Sequence, residues 1–155
     1  YPVAAEDYFG KSKLSAFLSW FLINLLLIPR KRDEKNPKRD PIYIMDSYLK
    51  NGKSLIFFPE GSRGKAGKIQ VFKNGLGYLM KENMNIPIIP VYLEGIGRVL
   101  PKGNKIMLPG ITKIYFGNPI FLVNETVEEI VEKAENAVHD LKNRCDNNNS
   151  SNLRE

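Results

Sequence analysis

Apolar and polar positions divide this chain into short runs separated by turn-forming residues. Residues 2–5, Pro-Val-Ala-Ala, read as a short strand or its end, and the chain turns polar over residues 7–13. Residues 14–28 are almost wholly apolar, with Ser15, Ser19 and Asn24 falling on roughly one helical stripe. The run is shorter than the ~20 residues a spanning helix needs, and it stops at Pro29. It predicts a helix over residues 14–23, then an extended piece through Leu27 and Ile28. Such a helix is either core or carries a face that dips into a bilayer.

Residues 30–40 hold six bases and three acids around Pro37, the composition of a solvated loop. Helical spacing resumes at Pro41 with Ile42, Ile44, Met45, Tyr48 and Leu49, and Asn51-Gly52 stops it. Residues 54–58 form a short apolar run bounded by turn formers, as in a buried strand. A loop with three glycines covers residues 59–68, and residues 74–83 read as a helix. Residues 86–93 predict a second buried strand. Residues 111–116 predict a third, turned by Gly117-Asn118-Pro119.

The last helix is signalled most strongly. Thr126 with Glu129 makes a capping box, and Val127, Ile130, Val131, Ala134, Ala137, Val138 and Leu141 share one face. A polar stretch follows Arg144, so the expected organisation is one domain over 1–144 and a disordered tail over 145–155. Strands alternating with helices imply an α/β fold with a mixed, largely parallel sheet flanked by helices.

Composition adds limits. At 155 residues, 43% hydrophobic and 26% charged, the chain can bury one core. A single cysteine, Cys145, gives no internal disulfide, and with one histidine, His139, no His/Cys zinc site is expected. Cys145 reads as a thiol near a frayed helix end, and His139 as a satisfied or exposed helix residue. The chain starts at Tyr1, so it is either processed or part of a longer protein, and no signal peptide is visible. The net charge of +6 is unevenly spread. Residues 1–124 carry nineteen Lys/Arg against nine Asp/Glu, whereas residues 125–155 carry four against eight. A basic body favours anionic partners: phosphorylated small molecules, an acidic membrane surface or nucleic acid.

The candidate chemistry begins where the run ending at Phe58 delivers Pro59-Glu60-Gly61-Ser62-Arg63 into the glycine-rich loop. In open α/β sheets ligands sit beyond the carboxyl ends of strands. Gly61 allows close backbone approach, Arg63 offers a donor fork suited to phosphate, and Ser62 can donate a further hydrogen bond. Glu60 could orient Arg63 or accept from a hydroxyl. The alternative is a surface turn with an Arg–Glu pair worth under ~1 kcal/mol. Arg30 closes an earlier apolar stretch in the same manner. It is either a solvated charge or, with Arg63, half of a pinch on one phosphate. Phe72-Lys73-Asn74-Gly75 opens the next helix, whose free N–H groups and Lys73 could bind an anion.

These segments resemble conserved blocks of the lysophosphatidic acid and glycerol-phosphate acyltransferase family. Residues 58–63 are similar to its F-P-E-G-T-R block, with Ser62 keeping the hydroxyl of Thr. Asn24-Leu25-Leu26-Leu27-Ile28-Pro29-Arg30 is similar to the preceding block, although that block usually opens with Gly. Phe72-Lys73-Asn74-Gly75 matches F-K-x-G, Ile86-Pro87-Ile88-Ile89-Pro90-Val91 matches V-P-I-V-P-V, and Phe116-Gly117-Asn118-Pro119-Ile120 matches F-G-x-P-I. Order and spacing agree from about Val3 to Ile120.

The resemblance implies transfer of a fatty acyl group from acyl-CoA or acyl carrier protein to the free hydroxyl of a lysophospholipid such as 1-acyl-glycerol-3-phosphate. No resident cofactor or metal is required. It places Arg30, Glu60, Gly61, Ser62 and Arg63 at the acceptor, with Arg30 and Arg63 at its phosphate, and Pro87 and Pro90 in a block tied to the acyl or acceptor pocket. The family's base is a His in a His-x-x-x-x-Asp block, which these residues lack. His139-Asp140 has the wrong spacing. That block is expected upstream of Tyr1, and this polypeptide alone is expected to be inactive. The apolar run with Trp20 and the bases after it suggest peripheral or monotopic attachment at the cytoplasmic face of a membrane. A rival reading is a non-catalytic phospholipid-binding module. Nucleic-acid binding is not expected, because the bases are not interleaved with aromatic residues.

Overall fold

The first two extended runs pair with each other in parallel. In the computed structural model, which describes residues 1–6, 24–30, 36–62, 64–99 and 108–151 with side chains as far as Asn147, Val3–Ala5 (β1) pairs in parallel with Leu26–Ile28 (β2). Parallel neighbours need a crossover of a dozen or more residues. The helix expected over residues 14–23 would lie in that crossover, outside the described residues. Ile56 adds a single parallel bridge on the other side of β1: Val3 N–H donates to Ile56 O (3.0 Å) and Ile56 N–H to Tyr1 O (2.9 Å).

A 3-10 turn at Pro37–Arg39 leads into helix α1, Pro41–Lys50. Its start is doubly fixed. Pro41 presets φ for the first turn, and the Asp40 carboxylate accepts from Ile42 N–H at 2.8 Å. Asn51 and Gly52, with Gly52 at φ +70°, end it. Met45 is buried, and Tyr48 meets the Tyr1 ring edge-on at 5.2 Å.

The chain divides into two compact units, Tyr1–Phe58 and Pro59–Glu155. The second contains helix α2 (Gly75–Lys81), strand β3 (Val91–Glu94), the short helix α3 (Ile96–Val99), strand β4 (Lys113–Phe116) and helix α4 (Val127–Ser151). β3 and β4 pair antiparallel from Val91–Phe116 to Glu94–Lys113, and an Ile88–Ile120 bridge continues the pairing. The fold is thus α/β, with a small parallel sheet, an antiparallel pair and helices.

The core of this unit lies between α2 and α4. Leu76, Leu79 and Met80 are buried, as are Ile130, Val131 and Ala134, with Ile130 wholly inaccessible. Truncating such a residue to Ala costs ~2–5 kcal/mol. The helices touch at Gly77, where a Cβ would sit 2.4 Å from Val127 O. The capping box forms as the sequence predicts: Thr126 N–H donates to Glu129 Oε2 (2.7 Å) and Glu129 N–H to Thr126 Oγ1 (3.2 Å).

Three expectations change. Residues 54–58 do not form a buried strand. Only Ile56 pairs, and Ile56 and Phe58 are more than half exposed. Pro59 has no N–H to extend a ladder past Phe58. Residues 86–93 are likewise buried on one face only. α4 packs against β3, while Ile89, Val91, Ile114 and Phe116 are exposed. Finally, α4 continues through Ser151, past the onset of the expected tail, and Cys145 is only 1% exposed. Its placement four residues after Leu141 extends the apolar face by one more turn. No helix among the described residues is long and apolar enough to cross a membrane.

Candidate functional site

The segment that follows Phe58 is a closed loop in the second unit. Its base is tied by Lys73 N–H donating to Pro59 O at 2.9 Å. One residue further in, Glu60 Oε2 accepts from Gln70 N–H at 2.8 Å. Further in again, Gln70 Nε2 donates to Ser62 O at 2.9 Å. At the tip, Lys68 N–H donates to Lys65 O, and Ala66 lies against α3, where a Cβ on Gly97 would meet its Cα at 2.8 Å.

Gly61 is required twice over. Its φ of +69° is a left-handed conformation that L side chains disfavour. A Cβ there would also lie 3.0 Å from Lys73 Nζ, with Cδ and Cε at 3.1 and 3.2 Å. The Lys73 ammonium therefore sits directly against the Gly61 backbone. Gly61, Ser62 and Lys73 are all exposed, whereas Glu60 and Gln70 are half-buried. Lys73 offers three donors and a point charge beside a backbone that has no side chain in the way.

Two expectations about donors need correction. The Phe72 and Lys73 N–H groups are not free for an anion. Phe72 N–H donates to Glu135 Oε2 on α4 at 3.2 Å, and Lys73 N–H is taken by Pro59. Phe72 is buried and anchors the loop, so the charge near Gly61 comes from the lysine side chain. α2 begins at Gly75, with Asn74 at its N-cap making no side-chain cap bond.

The remaining sequence candidates fall elsewhere. Arg30 is exposed in the first unit, in the bend after β2 and Pro29. Arg63 lies outside the described residues. Pro87 is exposed ahead of β3. Pro90 is buried, its carbonyl accepting from Gly117 N–H at 2.9 Å, and a Cβ on Gly117 would come within 2.7 Å of its ring. That contact explains why a glycine follows Phe116. His139 is half-exposed on α4, 3.9 Å from Glu135. The structure thus brings together Glu60, Gly61, Ser62 and Lys73, and it adds Gln70 and Glu135, which sequence reasoning missed. Neither carries a sequence signal: Gln70 lies between two motifs, and Glu135 is one of many acids on a helix.

A second polar cluster lies under α4, away from the loop in sequence. The Tyr115 hydroxyl donates to Glu94 Oε2 at 3.0 Å. Its hydrogen bond with Cys145, then burial, then the Glu94 contact push its pKa upward. Burial also raises that of Tyr92 opposite. Among the described residues no group of His, Cys, Asp and Glu could hold a metal ion.

Comparison with known proteins agrees with this architecture. The sequence model of the acyltransferase family matches residues 8–94, and the chain belongs to that family. It is 26% identical over 127 residues to a chloroplastic 1-acyl-sn-glycerol-3-phosphate acyltransferase of Brassica napus, covering 81% of this chain and 36% of that protein. The corresponding enzyme of Arabidopsis thaliana is 29% identical over 122 residues, with 74% and 34% covered. One from Pseudomonas aeruginosa is 29% identical over 119 residues, with 75% and 45% covered. The crystal structure of the 1-acyl-sn-glycerophosphate acyltransferase PlsC from Thermotoga maritima superposes with a TM-score of 0.67 at 23% identity, over 92% of this chain and 55% of that one. The chain therefore spans about a third of the length of the two plant relatives.

Proposed function

We propose that the protein transfers a fatty acyl group from a thioester, on coenzyme A or acyl carrier protein, to the free hydroxyl of a lysophospholipid such as 1-acyl-glycerol-3-phosphate, in phospholipid synthesis. The observation that carries the proposal is the closed loop over residues 59–73, in which the Lys73 ammonium lies against the Gly61 backbone. Family membership supports acyl transfer, and the names of the relatives support the acceptor.

In this reading Arg63 and Lys73 meet the acceptor's phosphate. Ser62 and the Gly61 backbone contribute at the same place. Charge-assisted hydrogen bonds from lysine and arginine suit a phosphate because each donor meets a full negative charge. Pro87 and Pro90 shape the neighbouring pocket. The base in this reading is the histidine of a His-x-x-x-x-Asp block of the kind the resemblance implies. It takes the acceptor's hydroxyl proton as the oxygen attacks the thioester carbonyl, and returns it to the departing thiolate. His139 is assigned no part in this; it lies on α4, 3.9 Å from Glu135. The apolar run over residues 14–28 and the bases that follow it attach the protein peripherally to the cytoplasmic face of an anionic membrane.

Arg63→Ala in the full-length protein tests the site. Loss of one charge-assisted contact should cost about 1.5–3 kcal/mol in kcat/KM for lysophosphatidic acid. Unchanged acceptor kinetics would remove Arg63 from the phosphate.

A further inference from the structure

Gln70 belongs to none of the motifs, yet both its backbone and its side chain are bonded within the loop. Its backbone N–H is held by the Glu60 carboxylate at 2.8 Å. Its side-chain amide donates to the Ser62 carbonyl at 2.9 Å. The same side chain fills the space beside Gly64, where a Cβ would lie 2.9 Å from Nε2 and 3.0 Å from Cγ. One glutamine thus touches the loop at both Ser62 and Gly64.

The grip matters because the segment is rich in glycine. Gly61, Gly64 and Gly67 lie within seven residues, and each glycine increases the backbone freedom lost on ordering. A flexible segment that must be ordered at binding loses affinity by that amount, and one already held in place does not. We propose that Gln70 is the positioning residue of this site, holding the Gly61–Ser62 backbone in the conformation that meets the acceptor's phosphate. The proposal rests on the phosphate-site reading above. It also gives Glu60 a defined part: one carboxylate oxygen fixes the Gln70 backbone, so Glu60 acts on the loop through Gln70.

The donor at position 70 is the specific requirement. Methionine keeps the length and the packing beside Gly64 but cannot donate. Glutamate keeps the shape but turns an acceptor toward the Ser62 carbonyl and adds negative charge beside the phosphate site. Steady-state kinetics of the full-length protein, with lysophosphatidic acid and acyl-CoA varied in turn, compare wild type, Gln70→Met, Gln70→Glu and Arg63→Ala. The expected result is a KM for lysophosphatidic acid raised about five- to tenfold in Gln70→Met. It should rise further in Gln70→Glu, with KM for acyl-CoA and the melting temperature unchanged. If Arg63→Ala loses acceptor use while both Gln70 variants behave as wild type, the positioning role is wrong and the phosphate site stands. If Arg63→Ala is itself unaffected, the phosphate reading fails and takes this proposal with it. Equal losses toward donor and acceptor, with a lowered melting temperature, would make Gln70 a general stabilising residue and overturn the proposal as well.

Discussion

Replacing Gly61 by alanine separates two effects that the structure superimposes at that residue. The first is backbone strain. An L residue held at φ +69° costs about 1–2 kcal/mol. About 0.4–1 kcal/mol of this is offset because alanine restricts the unfolded chain. The second is displacement of Lys73, whose ammonium would lie 3.0 Å from the new methyl group. Gly67 in the same loop and Gly52 after α1 have φ of +74° and +70°, with nothing within 4 Å of a Cβ. Gly52→Ala and Gly67→Ala therefore measure strain alone.

All three variants should lose about 0.5–1.5 kcal/mol in urea unfolding. The Lys73 side chain is exposed and flexible, so Gly61→Ala should not stand out in stability. It should stand out in acceptor binding, where moving one charge-assisted donor weakens lysophosphatidic acid use about tenfold. Gly61→Ala in a Lys73→Met background should then add little to the loss caused by Lys73→Met alone. Equal acceptor kinetics for Gly61→Ala and Gly67→Ala would refute the idea that the Gly61–Lys73 contact has a role in binding.

Thr126→Ala removes half of the capping box and should lower stability by about 1 kcal/mol in thermal unfolding, without changing acceptor KM. Glu125 is held down to a pKa of about 2, from 4.5, first by the Lys133 ammonium and then by Val123 N–H. Because the folded value is the lower one, its contribution is present above pH 4.5 and lost as pH falls toward 2. Glu125→Gln should accordingly flatten the stability profile over that interval, measured by denaturant titration at successive pH values. For the membrane, sedimentation with vesicles should show binding to phosphatidylglycerol, little to phosphatidylcholine, and release as salt rises; salt-insensitive binding to both would count against an electrostatic attachment.

The helices were the most legible elements in the sequence, because their signals are local. Thr126 with Glu129 brings a cap within three residues, and it forms as the sequence predicts, while the helix that starts at Pro41 gains an Asp40 cap besides. The strands were less legible because apolar composition does not say how many faces are covered. The run over residues 86–93 has the make-up of a strand buried on both sides, and α4 covers one. Residues 54–58 look like a strand, yet among them only Ile56 forms a bridge. Within the candidate site, the motif residues Glu60, Gly61 and Lys73 do converge. What holds them was not readable. Gln70 acts through a side-chain bond to a carbonyl, which leaves no pattern in sequence, and Glu135 reaches Phe72 across 63 positions.

That last contact bears on how the protein can be altered. Helix α4 looks dispensable to binding: it is acidic, lies far along the chain from the motifs and carries none of them. Yet Glu135 fastens the trailing end of the loop, Phe72, to this helix. Glu128, Glu132 and Glu135 share one face of α4 beside Phe72, and it is Glu135 that bonds the Phe72 backbone. A change at Glu135 loosens one end of the loop from its frame, and should be felt at the binding site before it is felt in the stability of the helix that carries it.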